Sequence, residues 1–195
     1  MANREATLER ELEAEREARR GLVNASVSLN SLLSLPELLA AIMRTATDLM
    51  NAETSSLLLL DEKTNELTFE VATGDPAAEV AQMRVPADRG VAGWVMKNKK
   101  AALVNDVQKD ERFYAQIDRA SGYKTKSMLA VPLDTRGRII GVVEMINKRD
   151  GSGFTERDQE IASALAAQAA VAIENARLYL KLADALVESR RSYRL

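Results

Sequence analysis

The segment Arg138 to Lys148 constrains this chain more than any other. It reads Ile139-Ile140-Gly141-Val142-Val143-Glu144-Met145-Ile146 between basic ends. A strand apolar on both faces belongs in the middle of a sheet that is covered on both sides. The chain must therefore supply a sheet in which this strand is central and buried. On period two, Ile140, Val142, Glu144 and Ile146 share one face, and Ile139, Val143 and Met145 the other. Glu144 stands out, because a carboxylate there must be paired, hydrogen-bonded, protonated or turned to a cavity. One reading makes it the floor of a pocket, accepting a ligand N–H. The other is an internal ion pair or hydrogen bond.

The surrounding sequence supplies the rest of a sheet. Ser55 to Asp61 carries four successive leucines and reads as a strand buried on both faces. Glu66 to Thr73 alternates, with Leu67, Phe69 and Val71 on one side. Lys63-Thr64-Asn65 turns between them. Met83–Pro86, Ala101–Asn105 and Ser127–Leu133 are further strands, and Asp134–Gly137 turns into the central one. Gly90–Asn98 and Arg112–Ala120 read as short helices. Asp88-Arg89-Gly90-Val91-Ala92-Gly93-Trp94 leads into the first through glycine. A tight turn with close helix packing is the simpler reading, and an anion at the helix N-terminus is the alternative. Arg112 to Lys126 is locally basic and aromatic. It reads as a polar lid over a small-molecule site or as a solvated surface helix.

Helices flank this region. Residues 1–35 carry Leu8, Leu12, Leu22, Leu29 and Leu33 on a 4-3 stripe, an imperfect coiled-coil seam. Ser34-Leu35-Pro36-Glu37 is a capping pattern that opens a helix with Leu38, Leu39, Ile42, Met43, Ala46, Leu49 and Met50 on its apolar face. Thr155-Glu156-Arg157-Asp158 opens another. Its stripe is Ile161, Leu165, Gln168, Ala172, Asn175, Tyr179, Leu182 and Leu186. At 1.5 Å per residue a helix to Tyr193 spans about 60 Å, more than a small domain can cover. Stripes at both ends predict a helical bundle, most simply in a parallel homodimer; folding back as a hairpin is the alternative.

Composition removes whole classes of function. The chain has 195 residues with no Cys and no His. Disulfides, Cys/His zinc sites, thiol catalysis and His-based triads are thereby excluded. The net charge of -2 gives no reason to expect nucleic-acid or membrane binding. The charged N-terminus and absence of Cys fit a cytoplasmic protein. No run approaches the roughly 20 apolar residues of a membrane span.

The ordered motifs resemble the GAF domain, found in cyclic-nucleotide phosphodiesterases, adenylyl cyclases and sensor kinases. They are Val85-Pro86-Ala87-Asp88-Arg89-Gly90-Val91-Ala92-Gly93, Asn105-Asp106-Val107, Phe113-Tyr114, Gly122-Tyr123-Lys124-Thr125-Lys126-Ser127, Val131-Pro132-Leu133, Ile140-Gly141-Val142 and Asn147-Lys148. The resemblance covers about residues 36–177, with a helical extension over 178–195. It implies an α+β fold: a central antiparallel sheet of about six strands, helices on one face, and a ligand pocket on the other under a short helix and loops.

Within the family the chain looks most like the phosphodiesterase and cyclase type. Asn147, Lys148, Phe154 and Asp158 match that type's signature, with Gln159 in place of the final Glu. The resemblance implies that the Lys148–Asp158 pair supports the pocket; on residues alone, Asp158 as a mere helix cap is equally structural. Ligand-binding positions carry over to Ser56, Val91, Ala92, Tyr114, Asp118, Ser121, Thr125 and Glu144. Thr73 also falls on such a position, but Ala72-Thr73 replaces the Phe-Asp pair of cyclic-GMP-binding relatives. The change removes an aromatic stacking surface and a carboxylate, which favours cyclic AMP over cyclic GMP. Lack of Cys and His excludes the thioether-linked bilin, methionine-sulfoxide reductase and usual haem roles of relatives. The expected function is a regulatory, non-catalytic sensor that binds a small molecule, with a cyclic nucleotide as the candidate ligand, and relays it to an output domain or partner. No other cofactor and no metal is implied. A ligand-free dimerisation scaffold is the competing role, and an enzyme the least supported.

Overall fold

The computed structural model describes residues 34–192, with side chains to residue 185. The N-terminal seam over residues 1–33, and Leu186 of the C-terminal stripe, lie outside the described side chains. The compact unit begins at Leu35.

Helix α1 (Leu35–Leu49) starts directly after Ser34 and leads into β1 (Ala52–Asp61) and β2 (Glu66–Ala72). Next come α2 (Ala77–Val80), β3 (Arg84–Pro86), α3 (Gly90–Asn98), β4 (Ala102–Val104), a 3-10 turn (Val107–Lys109) and α4 (Gln116–Ser121). The chain ends through β5 (Met128–Thr135), β6 (Arg138–Lys148) and α5 (Glu156–Ser192). The six strands form one sheet, ordered β3-β2-β1-β6-β5-β4, with every neighbouring pair antiparallel. The expected fold is therefore present, with β6 central. Helix α2 and the 3-10 turn are too short to leave a period in the sequence.

Each face of the sheet has its own core. Leu57, Leu129, Val131, Val143 and Met145 pack against α1 and α5. Leu58, Leu67, Ala130 and Val142 meet Val91, Ala92 and Val95 of α3. This is why β6 is apolar on both sides.

Two irregularities shift side chains away from simple alternation. Leu57 pairs with Val71 but Leu58 pairs with Phe69, so Glu70 is an extra residue in β2. An extra residue inverts the faces of all strand positions beyond it. Leu67 and Phe69 stay on the α3 side, while Val71 moves to the helical core. The expectation of one shared side for all three is corrected accordingly. In β6, Leu133 pairs with Gly141 and Asp134 with Ile139, so Ile140 is the extra residue. Ile140 packs in the helical core instead of sharing a face with Val142 and Glu144.

The lid helix is shorter than Arg112–Ala120. Asp110 accepts from the backbone N–H of Arg112 at 2.9 Å and from its guanidinium at 2.8 and 2.6 Å. A local turn of this kind competes with helix, and α4 starts only at Gln116.

Helix α5 also differs in the face it buries. Ala162, Ala166, Ala169, Ala170 and Ile173 lie against the sheet and α1. Small side chains let the helix approach closely. The larger residues of the expected stripe sit one position away: Ile161 and Leu165 are half-buried, and Tyr179 and Leu182 are exposed. No residue described after Ile173 is buried. Among the described residues no helix is long and apolar enough to cross a membrane.

Candidate functional site

The site lies on the face of the sheet away from α1 and α5. β1 and β6 supply its floor, α3 one wall and the segment from Phe113 to Thr125 its cover. Eight of the expected residues line this cavity together: Ser56, Val91, Ala92, Tyr114, Asp118, Ser121, Thr125 and Glu144. Antiparallel pairing places Ser56 opposite Glu144, and Ser56 Oγ donates to Glu144 Oε2 at 3.2 Å. Glu144 is 8% exposed, and burial pushes its carboxyl up to about 7, against a partial downward pull from the Ser56 hydroxyl. Around this pair the lining is apolar, with Leu58, Phe69, Val85, Met128 and Ile146. A carboxyl that titrates near neutrality can donate or accept a hydrogen bond.

Helix α3 meets the cavity end-on. Its N-cap residue, Arg89, makes no side-chain bond to the helix. The first N–H groups of a helix have no partner within it. Val91 and Ala92 carry two of these, at 2% and 5% exposure. Gly90 makes the turn, with φ of +73°, and Gly93 allows the close packing, since a Cβ there would lie 2.5 Å from the Asp88 carbonyl carbon. Tight packing is thus present, and it delivers the helix end to the cavity.

The cover is held by hydrogen bonds. Asp118 accepts from the N–H and the hydroxyl of Thr125, both at 2.7 Å. Ser121 Oγ donates to the Ile117 carbonyl at 2.8 Å. Tyr114 donates to Gln116. In this closed arrangement the cavity measures about 70 Å³. Pockets for drug-sized ligands span about 300–1,000 Å³, so a nucleotide-sized molecule needs the cover to lift.

Thr73 is not in the cavity. The extra residue in β2 turns Ala72 into it and Thr73 to the opposite side. There the Thr73 hydroxyl lies 2.9 Å from Ser55 Oγ and 3.3 Å from Thr47 Oγ1 of α1. Thr73 thus supplies no hydrogen bond to a base in the cavity, and the preference for adenine loses that support.

The expected supporting residues form a network behind the floor. Lys148 Nζ sits 2.8 Å from Asp158 Oδ2, with both side chains largely buried. Asp158 also accepts from the Thr155 N–H and hydroxyl at 2.7 and 2.8 Å, and its own N–H donates to Thr155 Oγ1. It is both helix cap and ion-pair partner. Burial raises the Asp158 carboxyl, but Lys148 and Thr155 outweigh it and hold the group below the usual carboxylate range. Lys148 also stands 5.8 Å from the Phe154 ring centre. Phe154 is pinned in turn by Asn105, through bonds of 2.7 and 3.0 Å between its backbone and the Asn105 amide.

Asn147, 3% exposed, anchors the end of the cover. Its Oδ1 accepts from Lys126 and Ser127 N–H at 2.7 and 3.1 Å. Its Nδ2 donates to the Lys124 carbonyl at 3.0 Å and to Glu53 Oε2 at 2.9 Å. Glu53 and Tyr123 were not legible as site residues. The Tyr123 hydroxyl donates to Glu53 Oε2 at 2.6 Å; the GAF-like run Gly122–Ser127 marked the segment but not this bond, which joins positions 70 residues apart.

A family profile described as "GAF domain" matches residues 34–173. This chain belongs to the GAF family. The GAF domain is 31% identical over 175 residues to a probable 3',5'-cyclic phosphodiesterase pde-5 of Caenorhabditis elegans, covering 85% of this chain and 23% of that protein. It is 32% identical over 154 residues to the dual 3',5'-cyclic-AMP and -GMP phosphodiesterase 11 of Drosophila melanogaster, covering 72% of this chain and 11% of that one. The chain thus spans less than a quarter of the length of these relatives. Among solved structures, the GAF domain of a phosphoenolpyruvate-protein phosphotransferase from Coxiella burnetii superposes with a TM-score of 0.70 at 18% identity, over 81% of this chain and 93% of that one. The corresponding domain from Acinetobacter gives 0.66 at 24% identity, over 82% and 94%. These two likenesses establish the fold.

Proposed function

We propose that this GAF domain is a sensor that takes a cyclic nucleotide, or a molecule of that size and polarity, between sheet and cover. The observation that carries the reading is the buried Ser56–Glu144 pair on the floor of an apolar cavity that α3 meets end-on. A neutral-range carboxyl and a hydroxyl suit the N–H and ring-nitrogen edge of a base. The uncapped helix end suits a phosphate. The chain's similarity to phosphodiesterases, one named for both cyclic AMP and cyclic GMP, supports this ligand class without favouring either base.

Binding, not catalysis, fits the groups present. The hydroxyl–carboxyl pairs Ser56–Glu144 and Thr125–Asp118 are read as a ligand-recognition contact and a cover-closing contact rather than as a catalytic centre. The output runs through α5. Leu178, Tyr179, Leu180 and Leu182 are each about half exposed or more, which supports pairing with a second copy and with a longer signalling protein. Sedimentation equilibrium tests the pairing: a dimer that dissociates in Leu178→Glu/Leu182→Glu supports it, and a monomeric parent chain refutes it.

Thermal melting with cyclic AMP and with cyclic GMP tests the sensor. A ligand at 100 times its Kd adds about 2.7 kcal/mol, a shift of several degrees. The shift is expected with at least one nucleotide and is lost in Glu144→Ala. No shift with either at millimolar concentration rejects cyclic-nucleotide sensing.

A further inference from the structure

Beside the cavity lies a second hollow, an outer cleft of about 370 Å³ lined by Glu53, Gly74, Asp75, Tyr123 and Arg149. Tyr123 lines both spaces. Its hydroxyl donates to Glu53 Oε2 on β1 at 2.6 Å and lies 3.2 Å from Asn147 Nδ2 on β6. The bond bridges the sheet and the cover across the boundary between cavity and cleft. It is polarised for strength. The Tyr123 and Asn147 bonds hold the Glu53 carboxyl below its ordinary value, and burial followed by the Glu53 bond keeps the phenol protonated far above its own.

Besides this bond, the cover is held to the sheet by Asn147, through the Lys124 carbonyl and the Lys126 and Ser127 amides, and by the half-buried Phe113, Tyr114 and Ile117. Helix α4 has no buried residue. It ends at Gly122, with φ of +74° and open space where a Cβ would stand. A segment with few buried apolar contacts opens at low cost, so its few hydrogen bonds set how often it opens. Asp118–Thr125 lies within the cover and Asn147 holds only its C-terminal end, whereas Tyr123–Glu53 is the side-chain bond that ties the cover to β1 beside the cavity.

We propose that Tyr123 is the gate of the ligand cavity, with Glu53 as its catch, and that ligand passes through the outer cleft when this bond breaks. The proposal rests on the sensor reading for its ligand but not for its motion. Tyr123 is a positioning residue: the bond exists before binding and re-forms after it, so it governs passage and not affinity.

Two measurements on the full chain test the gate. The first is hydrogen exchange of the unliganded protein, read at the backbone amides from Tyr123 to Ser127. Tyr123→Phe keeps the ring and removes only the donor. Exchange there is expected to quicken about tenfold in Tyr123→Phe, as for loss of one hydrogen bond to a charged group, and by less in Glu53→Gln. Amides of β5 and β6 are expected to exchange as in the parent. Unchanged exchange over Tyr123–Ser127, or a rise spread over the whole sheet, overturns the proposal.

The second is surface plasmon resonance with cyclic AMP and cyclic GMP. Association and dissociation rates are expected to rise together in Tyr123→Phe, with Kd changing less than about threefold. A rise in dissociation alone marks an ordinary ligand contact and overturns the gate. If neither nucleotide binds the parent chain, the sensor reading falls for this ligand class and the exchange result alone decides the gate.

Discussion

Glu144→Gln should make this domain more stable at neutral and alkaline pH. The parent carboxyl is 8% exposed, with Ser56 at 3.2 Å as its hydrogen-bond partner. Burial raises it from 4.5 to about 7. At about 1.4 kcal/mol per pH unit, that difference corresponds to roughly 3 kcal/mol. Below pH 4.5 the folded and unfolded chains both carry the proton. Between 4.5 and 7 the folded chain keeps it while the unfolded chain has released it, so rising pH favours unfolding. Above 7 the fold holds a buried carboxylate, and the whole contribution is gone. Glutamine keeps the shape, stays neutral and can still accept from Ser56. The variant should therefore gain about 3 kcal/mol on the parent between pH 4.5 and pH 8. For a body of this size that is roughly 6–12 °C in melting temperature. Melting both proteins from pH 4.5 to 8.5 in one buffer series, without nucleotide, gives a difference curve in which the other titrating groups cancel. A flat difference curve would refute the reasoning, because Glu144 would then reach water in the folded state.

Lys148→Met should cost about 3 kcal/mol, since it strands the Asp158 carboxylate at a buried site. Adding Asp158→Asn should recover part of that loss, and chemical denaturation of Lys148→Met, Asp158→Asn and the double variant measures the coupling. Thr73→Val should cost about 1–2 kcal/mol through its bonds to Ser55. It should leave nucleotide affinity within twofold, as titration calorimetry can check, because Thr73 lies outside the cavity.

The central place of β6 was legible because a segment apolar on both faces has few places to go. The cavity was legible too: eight of nine expected lining residues meet there. What failed was parity. Nothing in Leu67-Thr68-Phe69-Glu70-Val71 marks Glu70 as an extra residue, because Leu67, Phe69 and Val71 alternate in sequence whether or not the strand bulges. The register is decided by the partner strand, where Leu57 and Leu58 face opposite cores. Helix α5 misled in a different way. Its leucines made the conspicuous stripe, yet the sheet takes the alanines, because close approach favours small side chains over large ones. Tyr123 and Glu53 escaped notice because their bond crosses 70 residues and neither position breaks a local pattern.

The alanine face of α5 has a mechanical consequence. The helix is clamped at its first turn by Asp158, which is tied to the end of the strand that carries Glu144. It then runs on past Ile173, its last described buried residue, to Ser192. Those 19 residues make an arm of about 28 Å at 1.5 Å per residue. Tilting this arm by about 5° at Ile173 carries the tip through roughly 2.5 Å, about half the pitch of a helix. Alanine side chains present a shallow surface with few interlocking ridges, so such a tilt disturbs little packing where the first half of the helix meets the sheet. A shift at the floor of the cavity too small to alter the fold is thereby enlarged at the far end of one continuous rod.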